Sequence, residues 1–132
     1  DENIPFDEVV KLIGKDMAAQ VKNVAIKLFE AASSYADERG IIIADTKFEF
    51  GTDENGVLHI MDEALTPDSS RFWEKETYQV GTSPKSFDKQ IIRDYLSTLN
   101  WDKQNPGPVL PDKVINGTLA KYQEVIDRLQ QT

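Results

Sequence analysis

The sequence predicts an α+β domain, and three patterns carry that prediction. Apolar residues recur at three- and four-residue steps over 16–39 and again over 112–130. A β-branched run passes into alternating charge over 41–50, and the turn-dense stretch 51–56 has strand character on both sides. With 132 residues, the chain is expected to be one domain or one lobe of something larger.

The elements follow in order. Pro5 suits a first helical turn, Asp7 and Glu8 stand where a helix favours negative charge, and Val9, Val10, Leu12 and Ile13 follow. A first helix is therefore expected over 5–13, stopped by Gly14. From Asp16 to Arg39, Met17, Val21, Val24, Ile26, Leu28, Phe29, Ala32 and Tyr35 mark one long amphipathic helix, closed by Gly40 as a C-cap. Ile41-Ile42-Ile43 opens a single strand running to Phe50, with its first half buried on both faces. Gly51 to Gly56 is a turn, and Val57 to Asp62 returns as the second strand of a β-hairpin.

Thr66-Pro67-Asp68-Ser69-Ser70 joins a Pro turn to capping residues, which predicts a short helix from Asp68 or Ser69 with Phe72 and Trp73 packed inward. Residues 74–85 are polar and read as loop. Ser86 is expected to cap a helix to about Leu99, with Phe87, Ile91, Ile92, Tyr95, Leu96 and Leu99 as its stripe. Pro106, Gly107, Pro108 and Pro111 forbid regular structure over most of 100–111. A final helix is expected over 112–130, with Val114, Ile115, Leu119, Tyr122, Val125, Ile126 and Leu129 as its buried stripe. The expected architecture is a hairpin extending a central sheet, one long helix before it and two amphipathic helices after it.

Composition narrows the function classes. Hydrophobic residues at 39% and charged residues at 29% suit a packed interior. A net charge of −8 disfavours attraction to phosphate backbones or anionic lipid, so neither nucleic acid nor membrane is expected as a partner. No apolar run approaches the roughly 18 residues of a membrane span, and no signal peptide opens the chain. The absence of Cys removes disulfides and thiolate metal sites and fits a reducing cytoplasm, and a single His leaves no zinc cluster. Asp1 in place of Met points to a chain cut from a longer one.

The chemistry concentrates on the strand. Alternation puts Asp45, Lys47 and Glu49 on one side and Thr46, Phe48 and Phe50 on the other. With a loop over 51–56, Phe50 pairs with Val57, Lys47 with Ile60 and Asp45 with Asp62, leaving two carboxylates roughly 5 Å apart. Such a pair is tolerable if Lys47 or a hard cation shares the site, as in a magnesium-nucleotide site. The plainer reading is a solvent-facing charge ladder. The buried run before it favours a cleft at the strand's end.

Arg71, after Pro67-Asp68-Ser69-Ser70, either grips a phosphate or carboxylate or simply pairs with Asp68 across a capped turn. Asp88 and Lys89, in the first turn after Ser86, carry the same ambiguity. His59, on the face opposite Asp62, reads as structural. Asp53, Asn55 and Gly56 read as a hairpin turn rather than a calcium loop. The Asn116-Gly117-Thr118 sequon lies within a helix and is discounted.

Two blocks, Gly40-Ile-Ile-Ile-Ala-Asp-Thr-Lys-Phe-Glu-Phe-Gly51 and Met61-Asp-Glu-Ala-Leu-Thr-Pro-Asp-Ser-Ser-Arg-Phe-Trp73, closely resemble signature segments of the phosphoribosylaminoimidazole-succinocarboxamide synthase (SAICAR synthetase) family. Asp1-Glu2-Asn3-Ile4, Ser86 to Gln90, Arg93-Asp94-Tyr95 and Lys121-Tyr122 extend the resemblance over essentially the whole chain. It implies an ATP-dependent ligase of purine biosynthesis that joins L-aspartate to the carboxylate of carboxyaminoimidazole ribotide through an acyl phosphate, giving the succinocarboxamide, ADP and phosphate. It also implies Mg²⁺ as cofactor.

Carried across by position, Glu49 and Asp62 match acids near the nucleotide's magnesium and phosphates. Asp45 matches an acid near the metal-bound substrate carboxylate, so Asp45, Glu49 and Asp62 form the implied metal set. Lys47 and Arg71 match cations on phosphate and carboxylate groups, with Asp45 and Lys47 implied as the catalytic pair. Asp1, Ser69, Ser70, Asp88 and Lys89 match substrate-side positions.

Family members resemble two-lobed, kinase-like enzymes whose N-terminal lobe carries a Gly-rich phosphate loop, and no G-x-G-x-x-G or G-x-x-x-x-G-K pattern occurs here. The resemblance thus implies that 1–132 is the C-terminal lobe, silent without its N-terminal partner and open to self-association through uncovered apolar surface. Two rival readings are an acidic module that binds Mg²⁺ or Ca²⁺ without catalysis and an interaction domain without ligand.

Overall fold

The computed structural model describes residues 2–87 and 89–131. Helix periodicity translates directly into helices: α1 spans Phe6–Ile13, α2 Lys15–Asp37, α3 Gln90–Ser97 and α4 Asp112–Leu129. Gly14, at φ +84, ends α1 with its N–H on the Val10 carbonyl and lets the chain re-enter a helix one residue later. α2 ends two residues before the expected Arg39, and Gly40 at φ +73 closes the following turn. Residues 98–111 have no helix or strand, as the prolines require. No helix among the described residues is long and apolar enough to cross a membrane.

The strands depart from expectation in three ways. First, 41–50 is not one strand. β1 (Ile41–Thr46) pairs antiparallel with β4 (Ser70–Glu74), while β2 (Glu49–Thr52) pairs with β3 (Leu58–Met61), giving, among the described residues, two two-stranded sheets in place of one central sheet. Second, the hairpin register is shifted. Phe50 faces Ile60 rather than Val57, because β2 runs on to Thr52 and the turn, over 53–57 in place of 51–56, is closed by Asp53. Its Oδ1 accepts the N–H groups of Asn55 and Val57, each at 2.9 Å, and Gly56 sits at φ +78.

Third, Asp68 and Ser69 start no helix. The chain makes a single turn in which the Ser70 N–H reaches the Thr66 carbonyl at 2.9 Å, then extends into β4. There Phe72 faces Ile43 and Trp73 faces Ile42, a gain in cross-strand packing that local capping preference does not match. Lys75–Thr77 forms a 3₁₀ turn after it. Residues 85–87 run beside β4, with Phe87 N–H on the Phe72 carbonyl at 2.8 Å, so α3 begins at Gln90 and Ser86 does not cap it.

The core lies on one face of the β1–β4 ladder. Ile41, Ile43 and Phe72 are buried there with Phe87, Ala36 of α2 and Val125 of α4, and Phe29, Ala32, Leu65 and Leu129 pack around them. β1 carries a bulge between Ile43 and Asp45. Strict alternation would send Asp45 to the same face as Ile41 and Ile43. The extra residue turns Asp45 outward, opposite Arg71, which is how a bulge aims a charged side chain away from a core.

Candidate functional site

The segment 62–71 organises the site. β3 ends at Met61, and Asp62 adopts φ +60, a left-handed conformation that an Asp tolerates better than most residues and that takes it off the strand's alternation. Thr66 then holds a tight turn: its hydroxyl donates to Glu63 Oε2 at 2.7 Å and accepts the Ser69 N–H at 3.1 Å. Two neighbouring hollows form around this segment, and Asp68 and Ser69 line both.

The first, of about 310 Å³, is lined by Asp45, Pro67, Asp68, Ser69, Ser70, Arg71, Lys89 and Arg93. Arg71 forks onto Asp45: Nε donates to both carboxylate oxygens at 2.9 Å and Nη2 donates to Oδ2. Hydrogen bonds from Arg71 hold the Asp45 carboxyl below its ordinary 3.8. Lys89 Nζ reaches Asp68 Oδ1 at 2.6 Å and lowers the pKa of Asp68 in the same way. Ser70 donates to Thr46 Oγ1 at 2.8 Å, tying the turn to β1. Three cations stand against two carboxylates in a chain of net charge −8, so this hollow suits an anion.

The second, of about 230 Å³, is lined by Lys47, Glu49, Asp62, Glu63, Asp68 and Ser69. Lys47 Nζ lies 2.7 Å from Glu49 Oε1, and this hydrogen bond, helped by the charges of Glu49 and Asp62, raises the amine's pKa above 10.5. One cation faces four carboxylates, so this hollow suits a cation. Glu49 and Asp62 offer the hard oxygens that Mg²⁺ prefers when phosphates complete its shell. Among the described residues no three acidic or imidazole groups converge into a self-sufficient metal cage. The donor set fits a metal shared with a phosphate ligand better than a structural ion.

The predicted residues are therefore divided. Glu49, Asp62 and Lys47 come together, as do Asp45, Ser69, Ser70, Arg71 and Lys89. Asp45 does not face Asp62: its cross-strand neighbour is Arg71, and the row Asp45-Lys47-Glu49 is broken because residues 47–48 belong to neither sheet. Arg71 pairs with Asp45 and not with Asp68, which Lys89 takes. Asp1 and Asp88 lie outside the described residues. His59 bonds the hairpin turn through Asp53 Oδ2 at 3.3 Å, as a structural residue would. Sequence reasoning missed Arg93 and Glu63 as lining groups. The four-residue step from Lys89 to Arg93, which puts both on one side of α3's first turn, was the available signal for Arg93.

An anion-seeking hollow abuts a cation-seeking one on an α+β scaffold, an arrangement suited to negatively charged ligands and their counter-cations. Comparison with known proteins makes the assignment specific. The family model described as SAICAR synthetase matches residues 1–108, and the chain belongs to that family. It is 60% identical over 129 residues to the phosphoribosylaminoimidazole-succinocarboxamide synthase of Thioalkalivibrio sulfidiphilus, covering 98% of this chain and 44% of that protein. The Saccharomyces cerevisiae SAICAR synthase complexed with SAICAR superposes with a TM-score of 0.89 at 44% identity, covering all of this chain and 44% of the yeast one. A SAICAR synthetase in complex with ADP gives 0.69 at 27% identity over 98% of this chain and 45% of its own. The chain thus spans less than half the length of the relatives it matches.

Proposed function

We propose that this chain is the C-terminal lobe of a ligase that joins L-aspartate to the carboxylate of carboxyaminoimidazole ribotide with conversion of ATP to ADP and phosphate. The observation that carries the reading is the pair of oppositely charged hollows meeting at Asp68 and Ser69. Such a ligase must bring a metal-bound triphosphate and an anionic acceptor into contact, and relatives solved with SAICAR and with ADP support both ligand classes. The acceptor's carboxylate oxygen bonds to the γ-phosphorus as the bond to ADP breaks. The aspartate amine then bonds to the acyl carbon, phosphate leaves and the amine loses a proton.

In this reading Arg71, Lys89, Ser69 and Ser70 hold the anionic groups of the acceptor and of aspartate, and Asp45 fixes the guanidinium of Arg71. The family resemblance matches Asp1 and Asp88 to substrate-side positions as well. Lys47, its pKa raised by Glu49, stays charged at neutral pH to hold the transferring phosphoryl group. Glu49 and Asp62 would hold Mg²⁺, which when bound spreads the phosphate charge. Glu49 and Asp45 come already paired with Lys47 and Arg71, which speaks against a purely structural calcium module.

The test is ADP release dependent on both ATP and aspartate in the intact protein. Lys47→Met is expected to lower kcat by roughly 10²–10³-fold with little change in melting temperature, as its side chain is more than half exposed. Undiminished turnover in Lys47→Met would refute the assignment. The 132-residue chain alone is expected to be silent, and a rate comparable to that of an intact relative would refute its role as one lobe.

A further inference from the structure

The two hollows share a wall, and that wall is organised around one side chain that nothing above assigns to the chemistry. We propose that Thr66 is a positioning residue whose hydroxyl sets the geometry of both hollows at once; this rests on the two-hollow reading above. The Thr66 hydroxyl has one proton to give, and the 2.7 Å contact with the Glu63 carboxylate, which accepts only, takes it. Thr66 Oγ1 is then left to accept, and it receives the Asp68 N–H at 3.3 Å and the Ser69 N–H at 3.1 Å.

With that proton directed at Glu63, only Ser69 can donate across the 3.1 Å contact between the Thr66 and Ser69 hydroxyls, and the Ser69 hydroxyl also has the Thr66 carbonyl within 3.5 Å. Ser69 Oγ in turn accepts the Thr66 N–H at 3.1 Å, so the two residues clasp each other across the turn. The Thr66 carbonyl receives the Ser70 N–H at 2.9 Å, which launches β4 and the Arg71 fork.

Every arm of this clasp ends on a wall. Glu63 lines the cation-seeking hollow, Ser70 lines the anion-seeking one, and Asp68 and Ser69 line both. Thr66 itself lines neither, so it acts through other groups. Removing its hydroxyl frees Glu63 on one side and leaves two backbone N–H groups without their acceptor on the other. A residue that merely stabilised the turn would change melting temperature without weakening two chemically different ligands together.

The experiment uses the intact protein and two probes, Mg·ADP for the cation-seeking hollow and inorganic phosphate for the anion-seeking one, with binding measured by calorimetry alongside turnover. Thr66→Val keeps the shape and removes the hydroxyl. It is expected to weaken both probes about tenfold, the scale of one or two lost hydrogen bonds, and Thr66→Ser is expected to restore both. Thr66→Val leaving either probe at wild-type affinity, or Thr66→Ser failing to rescue, overturns the inference.

If Thr66→Val does not fold, Glu63→Ala carries the test. It cuts one arm only, and must weaken Mg·ADP while leaving phosphate unchanged; an equal effect on both, or on neither, overturns the inference. Absence of turnover in the unmodified protein would instead count against the ligase reading, and the binding measurements still decide the role of Thr66.

Discussion

Arg71 and Lys47 are both cations gripping a carboxylate, and their side chains are almost equally exposed, at 55% and 57%. The backbones beneath them differ. Arg71 stands on a ladder whose other face is the core, where Phe72 retains 1% and Ile43 8% of its surface. Lys47 stands between two sheets, beside a hairpin on which Ile60 and Met61 remain about half exposed. The anion-seeking hollow is therefore built from within this chain, whereas the cation-seeking hollow has one wall on an element that buries little here. Preorganisation belongs to the first; adaptability belongs to the second.

Truncating each foundation would break the comparison most directly. Phe72→Ala opens a cavity between β1, Phe87 and the helices and is expected to cost about 3–5 kcal/mol, taking the Asp45–Arg71 fork with it. Ile60→Ser on the hairpin is expected to cost under about 1 kcal/mol. Urea unfolding followed by Trp fluorescence reads both, and equal losses would show that the hairpin is as well supported as the ladder.

Gly40→Ala comes next in size. A Cβ at this position would lie 2.9 Å from Arg128 Nη1, and the φ of +73 is unfavourable for an L side chain whatever the space. Left-handed strain alone is about 1–2 kcal/mol, and Arg128, which bridges Glu74 and Glu124 and stacks over Phe87, would have to shift. A melting temperature unchanged by this substitution would show that the core side yields as readily as the hairpin.

The two hollows also titrate from opposite ends. The Asp45 carboxyl is held below 3.8 by Arg71, so its stabilising contribution is whole above that value and is lost as pH falls through the lower folded pKa. The Lys47 amine is raised above 10.5, chiefly by Glu49, so its contribution is whole below 10.5 and is lost as pH rises through the higher folded pKa. Solvent screening keeps the Asp45 contribution below about 1 kcal/mol. NMR titration is expected to give midpoints on the stated sides of these values, with Arg71→Met returning Asp45 towards 3.8 and leaving Lys47 unmoved. Ordinary midpoints at both sites would erase the distinction.

What was legible in the sequence follows the same division between local and non-local causes. α2 and α4 were readable because their apolar spacing repeats over several turns, and a turn through Asp53 and Gly56 because both carry local backbone chemistry, although its start was read at Gly51, which lies in β2. β4 was not, since Thr66 to Ser70 advertise a helix start and only Ile42 and Ile43, thirty residues away, make Phe72 and Trp73 a strand. The site's residue types were legible, and Asp45, Lys47, Glu49, Asp62 and Arg71 all line a hollow. Their grouping was not. It depends on the bulge after Ile43 and on the partner change at 47–48, and a one-residue register step reverses which face a side chain takes. Thr66 passed as a turn former because its effect is exerted through neighbours.

The smallest effect is the most informative about the hairpin. Gly51→Ala is the same chemical change as Gly40→Ala, made where no positive φ resists it. Its Cβ would collide with the Met61 sulfur, on the neighbouring strand, but Met61 is half exposed and its flexible end can swing into solvent. Against that displacement stands the gain from replacing a strand Gly, which restricts the unfolded chain. The two terms oppose each other at similar size, so the net change is expected within about 0.5 kcal/mol, measured by the same urea transition. A loss as large as that of Gly40→Ala would mean that Met61 is held as firmly as a core residue, and that the wall beneath Lys47 and Glu49 is rigid after all.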